Sequence, residues 1–289
     1  MSDTANNPAA LEHLSQVLDG YDAVLCDVWG VLHNGRLAYP GAITALTAAR
    51  RAGKCVVMVT NAPRPWPQVR EYMRRLNVPD EICDAIITSG DVTRALIEQS
   101  GTVAHLGPDK DDSLYEGLTA KRTEDLSQAN AVVVTGLMDD INEKPEDYHG
   151  VMREWLSHDL PMVCANPDIV VEVGGRLAWC AGALAREYAG LGGKVSMAGK
   201  PYAPIYDQAM EMAEGVLGRP VPRDRAIAIG DGQPTDVTGA NNAGLDLLFI
   251  SNGIHVAEYG ERDAPDLERI AAFLGAHDNH ARYTMPALA

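Results

Sequence analysis

The sequence predicts an α/β fold, a doubly wound parallel sheet with a second, smaller α/β domain inserted into it. Short apolar runs of strand length alternate with amphipathic stretches of helical length, the pattern of a parallel sheet covered by helices. Several of the apolar runs end abruptly in a carboxylate or a hydroxyl. The chain has 289 residues, about twice the ~150 of a typical domain, which allows one large or two modest domains. In order, Ala23 to Cys26 reads as the first strand, ending at Asp27. Pro40 to Gly53 follows as a helix with Pro at its start and Gly at its end. Cys55 to Val59 is a strand ending at Thr60, Pro67 to Leu76 a helix, and Ala85 to Thr88 a short strand. Residues 89–193 carry strands of their own (Val103 to Leu106, Ala131 to Thr135, Pro161 to Cys164) with Gly and Pro at the boundaries but no long flexible linker. That length suffices for a separate domain, so an inserted cap is expected there. After a short run at Val195 to Met197, the expected elements are a helix at Tyr202 to Leu217, a strand at Ala226 to Ile229, a helix at Thr235 to Ala243 and a strand at Leu247 to Ile250. Residues 1–88 and 194–289 are then the two parts of one core.

Charge narrows the function. Twenty-four basic against forty acidic residues leave a formal net charge of -16, which opposes binding to nucleic acid or to an anionic membrane surface. No run approaches the ~20 apolar residues that span a bilayer. Met1 to Ala10 is polar, without the basic-then-apolar pattern of a signal peptide, so a cytoplasmic location is expected. The five cysteines are scattered and odd in number, without CxxC spacing. They read as reduced core thiols, and structural zinc is not expected.

Ligands of open α/β sheets gather at the carboxyl ends of the strands, so the polar residues ending these runs are the candidates for chemistry. Asp27 ends the first run, Thr60-Asn61 the second, and Gly230-Asp231 the late one, with Asp236 five residues on. Each acid alone is compatible with a helix cap or a turn. Together they can converge on one hard cation, and carboxylate oxygens suit Mg²⁺ completed by water and a substrate phosphate. Lys200, between Gly199 and Pro201, sits in a stiff turn that could fix its ammonium near the metal. A carboxylate nucleophile among a metal, an ammonium and a hydroxyl is what phosphoryl transfer requires.

Asp27-Val28-Trp29-Gly30-Val31, Thr60-Asn61, Gly199-Lys200-Pro201 and Gly230-Asp231 with Asp236, in this order, resemble the four motifs of the haloacid dehalogenase superfamily. The long insertion between the second and third motifs, with Asn166-Pro167-Asp168 late in it, is similar to the class IIA subgroup, which includes nitrophenyl-, sugar- and pyridoxal-phosphate phosphatases. The resemblance implies that Asp27 is the nucleophile and forms an aspartyl-phosphate. It implies that Thr60 and Asn61 hold the phosphoryl group and that Lys200 neutralises charge on phosphate and nucleophile. It further implies that Asp27, Asp231 and the backbone carbonyl of Trp29 bind Mg²⁺, and that Asp236 orients Lys200 or the metal's water. A small phosphorylated metabolite is the expected substrate, and a homodimer through the cap is the expected assembly.

One position departs from that pattern. Two residues after the nucleophile the family's phosphatases carry a second Asp, which protonates the leaving group and then activates water; here stands Trp29. General acid–base assistance is typically worth ~10²–10⁴-fold. A substrate with a good leaving group, or His33 as a substitute acid/base, would keep a phosphatase working. The alternatives are a phosphometabolite-binding protein with little turnover and a hydrolase of C–P or C–halogen bonds. Arg64 and Trp66 could contact the substrate under the cap. Gly174-Gly175 and Gly192-Gly193 are expected to be turns, and the charge run Asp109 to Asp112 a solvated loop of the cap.

Overall fold

The computed structural model describes residues 7–253, 255–261 and 264–289; residues 1–6 of the polar N-terminal segment lie outside it. The described chain forms two compact units. One comprises the residues up to Thr60, Tyr72–Ile86 and Tyr206–Ala289, the other Asn61–Glu71 and Ile87–Ile205. The second unit therefore takes in more than 89–193. The strand Val195–Met197 hydrogen-bonds to Met162–Cys164 in that unit's sheet, and Gly90 N–H bonds the Ala62 carbonyl at 3.0 Å, which ties the 61–71 segment to the same unit.

A seven-stranded parallel sheet orders its strands Ala9–Ala10, Tyr283–Met285, Asp246–Ile250, Ala226–Gly230, Ala23–Cys26, Cys55–Thr60 and Ala85–Thr88. Ala23–Cys26 and its neighbours on both sides, Cys55–Thr60 and Ala226–Gly230, are buried along their whole length, the signature of strands covered on two faces. From Ala23–Cys26 the chain steps outward to Cys55–Thr60 and Ala85–Thr88. It later resumes on the other side at Ala226–Gly230. The order reverses between Ala23–Cys26 and Ala226–Gly230, a topological switch point where the carboxyl ends of two strands frame a crevice. Helix Pro40–Arg51 buries Ala42, Leu46 and Ala49, spaced as one helical face. It stops two residues short of the expected Gly53, which takes φ +79°. In place of the helix expected at Thr235 to Ala243 stand a π-helical turn, Gln233–Val237, and a short α-helix, Thr238–Asn242. Helix Leu267–Gly275, capped by the Asp266 carboxylate accepting from Glu268 N and Arg269 N, was not foreseen.

The second unit holds a five-stranded parallel sheet ordered Val195–Met197, Met162–Cys164, Ala131–Val134, Thr102–Leu106, Lys121–Arg122. One apolar cluster includes Met152, Trp155, Leu184 and Tyr188 from helices His149–Ser157 and Ala181–Gly190. A second cluster centres on Ile97, Val103, Leu114 and Val133. Helix Ser89–Ser100 opens with a reciprocal capping box between Thr88 and Asp91. Gly174-Gly175 is the expected turn: both residues have positive φ, and they join the antiparallel strands Val170–Val173 and Arg176–Trp179. All five cysteines are buried and none is in a disulfide. Among the described residues no helix is long and apolar enough to cross a membrane.

Candidate active site

The first unit gathers three carboxylates at its switch point. Cys26 pairs in register with Ile229, and the Asp27 amide donates to the Ile229 carbonyl at 2.8 Å. Asp27 and Asp231 thus leave neighbouring strands side by side. The π-helical turn brings Asp236 back to them, and its carboxylate accepts from the Gly232 amide at 3.0 Å. π-turns of this kind are frequent at functional sites. One oxygen from each of Asp27, Asp231 and Asp236 lies within 4.8 Å of the others, and all three residues are less than a tenth exposed. Glycine makes the approach possible: a Cβ on Gly30 (φ +89°) or on Gly253 would collide with the Asp231 carboxylate. Two unit charges at such a distance repel by about 4 kcal/mol at an effective dielectric near 20. An all-oxygen donor set carrying that much buried negative charge fits a hard divalent cation such as Mg²⁺.

Trp29 occupies a packed nest in the same unit. A Cβ on Gly35 (φ +80°) would lie 2.5 Å from the Trp29 ring, so the indole lies directly on the Gly35 backbone. Its ring meets His33 edge-on at 5.2 Å, His33 meets Tyr72 at 5.7 Å, and Tyr72 OH donates to the Gly35 carbonyl at 2.6 Å. His33 is 2% exposed and its Nδ1 accepts from the Gly35 amide at 3.1 Å. Burial pulls its pKa down to about 4, so it is a neutral imidazole at pH 7. Thr60 ends its strand buried.

The second unit assembles the other candidates. Asn61 staples the Lys200 turn. Its Oδ1 accepts from the Lys200 amide at 2.7 Å, and its Nδ2 donates to the Lys200 carbonyl at 3.2 Å and to Asp168 Oδ1 at 2.9 Å. A Cβ on Gly199 would lie 2.5 Å from Asn61 Oδ1, which explains the glycine before the lysine. Ser89 Oγ donates to the Ala198 carbonyl at 2.7 Å, the Lys200–Pro201 peptide is cis, and Lys200 is 3% exposed. Lys200 is thus a buried, positioned lysine.

Arg64 Nε donates to Asp111 Oδ1 at 2.7 Å. Of the run Asp109 to Asp112, expected as a solvated loop, Asp109, Lys110 and Asp112 are exposed, and Asp111 is the exception. The run opens the 3₁₀ helix Asp109–Tyr115, and Asp111 turns inward to 1% exposure because the Arg64 guanidinium meets it there. Trp66 remains 47% exposed. Sequence reasoning missed Asp111 and Asp168 as site residues. Asp168 was visible only as part of Asn166-Pro167-Asp168, and nothing in the acidic run distinguished Asp111 from its neighbours.

Comparison with known proteins places these residues in a family. Residues 24–120 match the family model described as haloacid dehalogenase-like hydrolase, and residues 197–274 one described as HAD-hydrolase-like. Mouse haloacid dehalogenase-like hydrolase domain-containing protein 2 is 31% identical over 251 residues, covering 84% of this chain and 89% of the relative. The crystal structure of a hydrolase of the haloacid dehalogenase-like family from Brucella suis 1330 is 44% identical with a TM-score of 0.87, covering 96% of this chain and all (100%) of the other. A possible sugar phosphatase of the HAD superfamily from Cytophaga hutchinsonii shares the fold at 21% identity and a TM-score of 0.78, over 96% of this chain and 98% of its own.

Proposed function

The chain belongs to the haloacid dehalogenase superfamily of hydrolases, and we propose that it is a Mg²⁺-dependent phosphomonoesterase acting on a small phosphorylated metabolite through Asp27. The observation that carries this reading is the convergence of Asp27, Asp231 and Asp236 within 4.8 Å at the sheet's switch point. In the proposed reaction an Asp27 oxygen bonds to phosphorus as the bond to the leaving oxygen breaks. Water then attacks the aspartyl-phosphate, releasing inorganic phosphate and restoring the carboxylate. Asp27, Asp231 and the Trp29 carbonyl would hold Mg²⁺, with Asp236 in support. When bound, the ion would neutralise charge on the carboxylates and on the phosphoryl oxygens. Thr60 and Asn61 are assigned to hold the phosphoryl group and Lys200 to offset its charge; the Asn61 staple fixes the turn that carries Lys200.

Trp29 supplies no proton, and the adjoining His33 is a neutral imidazole at 2% exposure. These observations favour substrates whose leaving group departs without protonation. They also support a second reading, a phosphate-binding protein with little turnover. The test is phosphate release from a panel of phosphorylated metabolites and nitrophenyl phosphate, with and without Mg²⁺, for wild type, Asp27→Asn and Trp29→Asp. Release by wild type that is lost in Asp27→Asn is the expected result. A silent wild type beside an active Trp29→Asp would establish the binding reading.

A further inference from the structure

The Arg64 guanidinium is held at one end and open at the other. Its Nε is committed to Asp111, a carboxylate with 2% side-chain exposure, while the Arg64 side chain is 29% exposed. Among the described residues no group bonds its two terminal nitrogens. Its backbone is equally fixed. A Cβ on Gly90 would collide with the Arg64 main chain, Gly90 N–H bonds Ala62 O at 3.0 Å, and the Trp66 amide donates to Asp91 Oδ1 at 3.3 Å. Burying a carboxylate is costly unless it is paired and hydrogen-bonded. Here it aims a planar, always-charged fork whose free edge matches an oxyanion.

We infer that Arg64, positioned by Asp111, is a subsite for a second anionic group of the substrate, so that the preferred phosphomonoester also carries a carboxylate or a further phosphate. The inference rests on the phosphatase reading above and specifies its substrate class. Asn61 and Arg64 belong to the same unit and stand three residues apart, so their Cα atoms are at most ~11 Å apart. A subsite at Arg64 is thus within reach of a small substrate, and the probes below place the two anionic groups a few bonds apart, as in a phosphorylated hydroxy acid. Arg64 acts by recognition, and Asp111 is a positioning residue that acts through it.

The test compares 2-phosphoglycolate, ethylene glycol bisphosphate and 2-hydroxyethyl phosphate, which share a phosphomonoester and differ in the second group. Binding is measured by calorimetry with Mg²⁺ on Asp27→Asn protein, so that turnover does not intervene. One of the two probes with an anionic second group is expected to bind about 10–100-fold tighter than the hydroxyethyl ester, as a charge-assisted fork provides; which one identifies carboxylate or phosphate. Adding Arg64→Gln is expected to bring the ratio near one, Arg64→Lys to leave most of it lost, and Asp111→Asn to give an intermediate ratio. A merely structural role for Asp111 would weaken all three probes together and leave the ratio intact. Equal behaviour of the three probes, whether all bind or none does, overturns the subsite. So does a ratio that survives Arg64→Gln. Failure of the phosphatase reading is seen separately, as absence of Asp27-dependent phosphate release by wild type from any probe.

Discussion

The two parallel sheets of this molecule share an architecture and differ in what their strands end on. In the seven-stranded sheet, the strands at the switch point run out into Asp27 and Asp231, with Asp236 returned to them by a π-turn. In the five-stranded sheet the order reverses between Thr102–Leu106 and Ala131–Val134, and those strands run out into Gly107 and Thr135. Topology supplies a crevice in both places, but only the first concentrates negative charge that calls for a cation. The second unit instead contributes stapled and aimed groups: Asn61 on the Lys200 turn and Asp111 on Arg64. The first unit thus gathers carboxylates, and the second holds two fixed cationic side chains, Lys200 and Arg64.

The largest effect that would break this division is at the nucleophile. Asp27→Asn is expected to reduce phosphate release by on the order of 10⁴-fold or more, as loss of a covalent nucleophile does, with circular dichroism unchanged. Next comes Trp29→Asp, expected to raise turnover of alkyl phosphates by about 10²–10⁴-fold through restored proton transfer. Steady-state rates across leaving groups check this, since good leaving groups should gain least in the first step.

Stability effects are smaller and sharpen the contrast between the units. Mg²⁺ at a hundred times its Kd is expected to stabilise the protein by about 2.7 kcal/mol, read as a rise in Tm, and the rise should vanish in Asp231→Asn and persist in His105→Gln. Gly35→Ala forces a side chain into positive φ and against the Trp29 ring. A loss of about 2–4 kcal/mol is expected in denaturant unfolding.

An effect that is absent at neutral pH belongs to the second unit. Burial holds the His105 pKa near 4, from an ordinary value of 6.5. The unfolded chain binds that proton first, so His105 contributes stability that is full above pH 6.5 and lost as pH falls toward 4. Proton uptake on unfolding near pH 5 should decrease by close to one in His105→Gln.

What was legible follows from range. Asp27 and Asp231 could be read because each terminates a short apolar run, a local signal that also gave the strands Ala23–Cys26 and Ala226–Gly230. Lys200 was marked by its flanking Gly and Pro. The Asp111 partnership was not legible, because Arg64 lies 47 residues away and an acidic run carries no sign of which member turns inward. The same holds for Asn61 with Asp168, 107 residues apart. Strands Ala9–Ala10 and Tyr283–Met285 are too short to show periodicity. Val195–Met197 reads as a strand, but its pairing with Met162–Cys164 is a tertiary fact.

The central claim is that Asp27 becomes covalently phosphorylated during turnover. It is tested most directly by mixing the Mg²⁺-loaded protein with nitrophenyl phosphate, quenching in acid within the first turnovers and mapping peptides by mass. With Trp29 giving no help to the hydrolytic step, phosphoryl adduct is predicted to accumulate on the peptide containing Asp27 and to be absent in Asp27→Asn. Phosphate release without an adduct at Asp27, at a rate that Asp27→Asn preserves, would contradict the account.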